Sequence, residues 1–280
     1  MIDSPRISEI IRSVAATEVI PRFGALVEGD IVEKAPGDLV TVADRAAETA
    51  LTGRLTALLP GSVVVGEEAV AADPAILGLI DGDAPVWIID PIDGTHNFVS
   101  GSPRFATLVA LAHHGELLAS WTYAPVYDLL ATATKGGGAF VDGERVTTGP
   151  GGGLRFLDVA ISPPRWLTDA QRATYNALAA HGVSLSFFDT SGLQYIELAA
   201  GRRTAMVCGW EYPWDHAAGL LLHAEAGGVT LTADGSPFRL SGGNTLPFVC
   251  APDAATALAV HTAMGASPAA GAHGEAVAGA

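Results

Sequence analysis

Cysteine is nearly absent. Cys208 and Cys250 are the two in 280 residues, which excludes a disulfide framework and fits a reduced, cytoplasmic chain. Lysine is as rare, with Lys34 and Lys135 alone. Basic residues number 15 against 30 acidic ones, for a formal charge of −15. Nucleic-acid binding needs clustered Lys and Arg against phosphates, so none is expected. No apolar run reaches the roughly 18 residues of a transmembrane helix. No basic-then-apolar leader opens the chain. A cytoplasmic protein with no membrane partner is the expectation. The 49% of hydrophobic residues still supply a sizeable core, for one large domain or two modest ones.

Periodicity divides the chain into α+β and α/β halves. Ser4-Pro5 starts a helix, with Ile7, Ile10, Ile11 and Val14 at helical spacing. A second helix over 44–58 ends at Pro60-Gly61, and Ser62 to Val65 is a short strand. Residues 105–141 read as antiparallel strands, with turns at His114-Gly115, Pro125 and Gly136-Gly137-Gly138 and a hairpin at Asp142-Gly143. Thr148 to Gly153 marks a boundary between an N-terminal half, 1–147, and a C-terminal half, 154–264. Beyond it strands (156–161, 184–188, 204–208, 229–232, 247–251) alternate with helices (169–181, 190–200, 215–226, 253–264), which argues for α/β structure. The Ala/Gly-rich tail, 265–280, is expected to be disordered.

Residues 87–98, Trp-Ile-Ile-Asp-Pro-Ile-Asp-Gly-Thr-His-Asn-Phe, say most about function. An apolar strand ends at Asp90, Pro91 stops regular pairing, and Asp93 follows. Gly94-Thr95 then opens a short helix. Two carboxylates with no positive side chain nearby call for a cation. N–H groups at a helix start call for an anion. A plain Asp-Pro-x-Asp-Gly turn would read the same in isolation, so the company it keeps decides.

That company is acidic. Asp44 opens the second helix after Asp38-Leu39-Val40-Thr41, Glu67 and Glu68 follow Gly66, and Asp215 opens a helix within Trp214-Asp215-His216-Ala217-Ala218-Gly219, with Glu211 just before it. Singly, Asp44 and Asp215 would pass as N-caps and the glutamates as a solvated turn. Together, so many carboxylates at element ends point to one shared metal cluster. Two cations about 3.5–4 Å apart suit phosphate-ester hydrolysis by water, with positioned N–H donors for the phosphoryl oxygens.

Gly66-Glu67-Glu68, Asp90-Pro91-Ile92-Asp93-Gly94-Thr95-His96-Asn97-Phe98 and the Trp214-Asp215 segment occur in order. With Asp38-Leu39-Val40-Thr41-x-x-Asp44, this set resembles the inositol monophosphatase family of Mg²⁺-dependent, lithium-sensitive phosphatases over about residues 5–262. The resemblance implies an αβαβα layered sandwich, shared with fructose-1,6-bisphosphatases, and a homodimer acting on a small phosphorylated metabolite. It implies that Glu67, Asp90 and the Ile92 carbonyl hold one Mg²⁺, and that Asp90, Asp93 and Asp215 hold a second. A third, near Glu33 to Asp38, is left open. Glu68 would support a water, and the Gly94 and Thr95 N–H groups would hold phosphate. The Thr95 hydroxyl, bonded to Asp44, would orient or deprotonate the attacking water.

The alcohol side matches less well. Inositol-specific members carry an acidic residue before the Trp-Asp motif that contacts substrate hydroxyls. Cys208 falls there, and Glu211 substitutes only if the loop is shaped differently. Gln194, in Asp189-Thr190-Ser191-Gly192-Leu193-Gln194, stands where Asp is common. Histidinol phosphate, a sugar phosphate or a nucleotide 3′-phosphate therefore stay open as substrates. A bisphosphatase would need a basic pocket, for which Arg155, Arg165, Arg202 and Arg203 are candidates. A regulatory or binding protein that kept the fold is the rival of another class. His113-His114 reads as a turn, His216 and His223 as surface histidines, and Cys208 as a buried strand residue.

Overall fold

The computed structural model describes residues 2–151, 154, 157–163 and 167–265. The expected tail beyond Gly265 lies outside these residues. Helix α1 (Ser4–Val14) is capped by Asp3, not Ser4: the Asp3 carboxylate accepts from the Arg6 N–H at 3.1 Å. A ribbon that periodicity did not reveal follows, β1 (Ile31–Ala35) and β2 (Asp38–Thr41). It is short, half-exposed and turned by Pro36-Gly37, so no apolar alternation announces it. Helix α2 (Val42–Leu58) starts two residues earlier than its apolar spacing suggests. Thr41 is its cap, and Asp44 is the third helical residue of a capping box.

Strand β3 (Val63–Gly66) runs directly into helix α3 (Glu67–Ala72), so Glu67 and Glu68 open a helix, not a turn. Then come β4 (Val86–Asp93), helix α4 (Thr95–Val99), β5 (Ala106–His113), β6 (Glu116–Ala124), β7 (Leu129–Thr134), β8 (Gly138–Val141) and β9 (Glu144–Val146). They form a seven-stranded sheet in chain order from β3 to β9, parallel between β3 and β4 and antiparallel elsewhere. The expected hairpins are present. His114 turns the first at φ 51°, and its ring lies 3.9 Å from that of His113.

The second sheet has five strands in the order β11-β10-β12-β14-β13. It is built from β10 (Asp158–Ile161), β11 (Ser184–Phe187), β12 (Ala205–Cys208), β13 (Val229–Leu231) and β14 (Phe248–Ala251), interleaved with α5 (Asp169–Ala180), α6 (Ser191–Ala199), α7 (Pro213–Glu225) and α8 (Ala254–Ala263). The alternation expected of this half is there.

Strand alternation sorts the layers. Trp87, Ile89, Val109 and Trp121 face α1 and α2, packing on Ile11, Val14 and Leu51. Ile88, Leu108 and Ala110 face the other way, onto Tyr195 of α6 and Ala218 and Leu222 of α7. Those two helices also meet Met206, Phe248 and Cys250 of the second sheet. Val159, Val207 and Val249 turn outward to Tyr175 of α5 and Val260 of α8. The order helix, sheet, helix, sheet, helix is the αβαβα sandwich.

Being buried on both sides, α7 presents no polar face. His216 and His223 are therefore core residues, 0% and 1% exposed, not surface histidines. The His223 Nε2 donates to the Ala251 carbonyl at 3.1 Å, and burial lowers its pKa to about 4. Both cysteines are buried and free.

Candidate active site

Asp90 and Asp93, three apart, would point to opposite faces of a regular strand. The pairing of β4 with β5 instead shifts register between them. The strand does not stop at Pro91. A bulge carries the proline, which has no N–H to give, and re-aims the two carboxylates. The Pro91 carbonyl accepts from the Thr107 hydroxyl at 2.9 Å, fixing the bend. Asp215, in the first turn of α7, completes the group. Asp90, Asp93 and Asp215 each offer a carboxylate oxygen within 4.8 Å of the others.

This cluster lines a cavity of about 610 Å³ together with Lys34, Asp38, Glu67, Ile92, Gly94, Thr95 and His96. Asp93 is held from across the molecule: the N–H groups of Ser191 and Gly192, at the start of α6, donate to its two oxygens at 3.0 and 2.7 Å. Trp210 Nε1 donates to Asp215 Oδ2 at 2.5 Å. Asp90 is 1% exposed, and its Oδ1 has no hydrogen-bond partner.

Burial is the main force raising the pKa of Asp90, Asp93 and Asp215. For Asp90 the charges of Glu67, Asp93 and Asp215 raise it further, and for Asp93 that of Asp215 does. Two buried carboxylates crowded with a half-buried third, one oxygen of them orphaned, are costly alone and favourable around a hard cation. The donor set, all oxygen, suits Mg²⁺ better than a softer metal.

Glu67 lines the same cavity but outside this tight group. Lys34 explains why. Its Nζ donates to Glu67 Oε1 at 2.7 Å and to Glu68 Oε1 at 2.9 Å. Burial alone would lower the Lys34 pKa; the charge and hydrogen bond of Glu67, with those of Glu68, reverse that and raise it. The expectation of carboxylates with no positive side chain nearby thus holds for the Asp90–Asp93–Asp215 group and fails for the glutamates. Their helix start is fixed by Glu48, whose oxygens accept the Glu68 and Ala69 N–H groups at 2.9 Å each. A Cβ at Gly66 would stand 2.4 Å from the Glu48 carboxyl carbon, so only glycine leaves that cap in place.

Gly94, at φ 93°, makes the turn from β4 into α4 that a side chain would strain. Thr95 follows, its hydroxyl 3.1 Å from the Ile92 carbonyl and 3.4 Å from Asp44 Oδ1. Asp44 is held rigidly, its Oδ2 accepting from the Thr41 N–H at 2.8 Å and from its hydroxyl at 2.5 Å. Burial pushes its pKa up to about 6, against those Thr41 bonds.

The alcohol-side candidates are not brought to the cavity. Cys208 is fully buried in β12, paired with Phe248 of β14. Glu211 turns to the 243–244 loop, accepting the Gly243 and Asn244 N–H groups at 3.2 and 2.8 Å. Gln194 is buried in α6. Of the basic candidates, Arg202 pairs with Glu197 and Arg203 with Asp158; Arg155 and Arg165 lie outside the described residues. Lys34, Glu48 and Trp210 escaped the sequence reading. The rarity of lysine and the place of Trp210, five residues before Asp215, were the available signals.

The model of the inositol monophosphatase family matches residues 6–264. An inositol monophosphatase of Dictyostelium discoideum is 32% identical over 237 residues, 79% of this chain and 84% of its own length. An inositol-1-monophosphatase of Rhizobium meliloti is 34% identical over 229 residues, 79% and 82% of the two chains. The protein named Nus factor SuhB of Pseudomonas aeruginosa is 31% identical over 243 residues, 81% of each. Among solved structures, a Thermotoga maritima IMPase superposes with TM-score 0.79 at 25% identity, covering 94% of this chain and 97% of that one. With the layered fold and the ordered acidic motifs, these matches place the chain in the inositol monophosphatase family.

Proposed function

We propose that this chain hydrolyses a small phosphate monoester with Mg²⁺ as its cation, in the manner of an inositol phosphatase. The observation that carries the reading is the convergence of Asp90, Asp93 and Asp215 in a cavity that also presents Gly94 and Thr95. Glu67, Asp90 and the Ile92 carbonyl would hold one ion, and Asp90, Asp93 and Asp215 a second, with Asp90 shared. When bound, Mg²⁺ supplies an acidified water and charge compensation at the leaving oxygen.

The chain's own residues do the rest. Water oxygen bonds to phosphorus as the bond from phosphorus to the ester oxygen breaks in line, and the departing oxygen takes a proton from solvent water to leave as the alcohol. The proton leaving that water passes toward Asp44 through the Thr95 hydroxyl, the two being within reach. Thr41 keeps Asp44 aimed. Glu68 orients a water, and the backbone N–H groups of Gly94 and Thr95 meet the phosphoryl oxygens. The proposal extends to a homodimer, to a cytoplasmic setting and to inhibition by lithium. Among the described residues no helix is long and apolar enough to cross a membrane.

The test is phosphate release from inositol 1-phosphate, histidinol phosphate, fructose 1,6-bisphosphate, adenosine 3′,5′-bisphosphate and glycerol 2-phosphate. Each is run with Mg²⁺, with EDTA, and with Mg²⁺ plus lithium. Release that needs Mg²⁺ and falls with lithium is the expected result. Release from none would overturn the reading and favour a regulatory role for the retained fold.

A further inference from the structure

The wall of the same cavity carries four aromatic rings. Phe188, Trp210, Tyr212 and Trp214 all line it. The Phe188 and Trp210 rings lie 5.7 Å apart at 30°, and Tyr212 stacks on Trp214 at 5.0 Å and 5°. Trp210 cannot swing away without losing its bond to Asp215 Oδ2. The indole is thus fixed beside the cluster where phosphate would sit. Tyr212 is 55% exposed, with its ring backed by that of Trp214.

Several polar groups on this wall are already engaged, while the buried Thr190 hydroxyl has no partner. Asp189 accepts from Arg104 Nε at 3.1 Å. Gln171 donates to the Gly209 carbonyl at 3.3 Å and accepts the Thr168 N–H at 2.8 Å. Cys208 and Glu211, the two candidates for gripping hydroxyls, are turned elsewhere. Among the described lining residues the basic ones are Lys34 and His96. Lys34 is bound to Glu67 and Glu68, and the His96 Nε2 lies 2.6 Å from the Gly37 carbonyl. A polyol would find few partners here, and a second anionic group would find fewer. A flat ring would find rigid, electron-rich faces.

We infer that the alcohol half of the substrate carries a planar aromatic ring, neutral or cationic, seated against Phe188, Trp210 and Tyr212. This rests on the phosphatase reading above. The ring lies one short linker from the ester oxygen, because Trp210 adjoins Asp215. Ring-bearing esters gain affinity from the wall, whereas polyol esters make only their phosphate contacts.

The test compares esters of similar leaving ability, all with Mg²⁺: 2-phenylethyl phosphate, its saturated partner 2-cyclohexylethyl phosphate, glycerol 2-phosphate and inositol 1-phosphate. Histidinol phosphate is the imidazole arm, and fructose 1,6-bisphosphate carries a second anionic group and no aromatic ring. The kcat/KM for the phenyl ester is expected to exceed those of the cyclohexyl and glycerol esters by about tenfold, the size of one or two aromatic contacts. In Tyr212→Ala and in Phe188→Leu the ratio of phenyl-ester to glycerol-ester kcat/KM should fall several-fold, through KM. Tyr212 is exposed, so its variant folds even if the Phe188 variant does not. A flat profile, a preference for inositol 1-phosphate or the bisphosphate, or a ring advantage that survives both substitutions would overturn the inference while leaving the phosphatase reading standing. Hydrolysis of none of the esters would remove that reading, and this inference with it.

Discussion

Trp210 Nε1 lies 2.5 Å from Asp215 Oδ2, five residues along the chain. In the proposed site the bond would leave the other oxygen of Asp215 to face a cation. Outer partners of this kind orient ligands, and losing one typically weakens metal binding by 10-fold or more. Trp210→Phe keeps a ring but loses the donor. Its Mn²⁺ dissociation constant, read by calorimetry, should rise by about tenfold. An unchanged constant would make the bond structural only.

Asp90 sits at the centre of the acidic group, with Oδ1 unpartnered. Asp90→Asn should abolish turnover. It should also do what few inactivating changes do, which is stabilise the protein in EDTA, because a neutral amide replaces a buried, repelled carboxylate. A rise in melting temperature of a few degrees corresponds to about 1 kcal/mol at this chain length. Added Mg²⁺ should stabilise wild type and leave the variant unmoved. Near-normal activity in the variant would sink the two-cation assignment.

Thr95 stands between the Ile92 carbonyl and Asp44. The proton path proposed through it predicts that Thr95→Ala lowers kcat more than it raises KM. A variant with raised KM and intact kcat would instead make Thr95 a substrate-holding residue.

His223 offers a pH prediction away from the site. Burial holds its pKa at about 4, against 6.5 when free. Between those values the unfolded chain takes a proton that the folded protein refuses. Stability is therefore retained above pH 6.5 and lost as pH falls toward 4, at up to about 1.4 kcal/mol per pH unit for this group. His223→Gln lacks that slope, so the stability gap between wild type and variant should narrow from pH 7 to pH 4.5. Parallel denaturation curves across that range would contradict the assignment.

What the sequence made legible was local. The Asp90–Asp93 segment, the Gly66-Glu67-Glu68 segment and the Trp214-Asp215 helix start each declare themselves within a few residues. The strand and helix alternation of 157–264 was readable because hydrophobic period and turn signals agree there. What stayed hidden depends on distant partners. Glu48 looks like any polar position on α2 until α3 brings its N–H groups to it. Lys34 is unremarked until the β1–β2 ribbon folds it over the glutamates. The bulge that turns Asp90 and Asp93 together exists only once β5 is paired alongside. His216 and His223 were misplaced because a helix buried on both sides has no amphipathic stripe to say which side faces water.

That doubly buried layer has a further consequence. Helix α7 comes from the second half of the chain, yet it packs on β5, β6, β7 and β8 of the first sheet as well as on its own. Cutting at the glycine-rich link around 148–153 would strip one face from the first sheet and bare the side of α6 and α7 that packs on it. Neither fragment would keep a closed core, so the halves are inseparable in folding even though a reader of the sequence can draw a line between them. Binding at the acidic cluster, where Asp93 of one half meets Ser191 and Gly192 of the other, should then tighten the whole sandwich and not a single lobe.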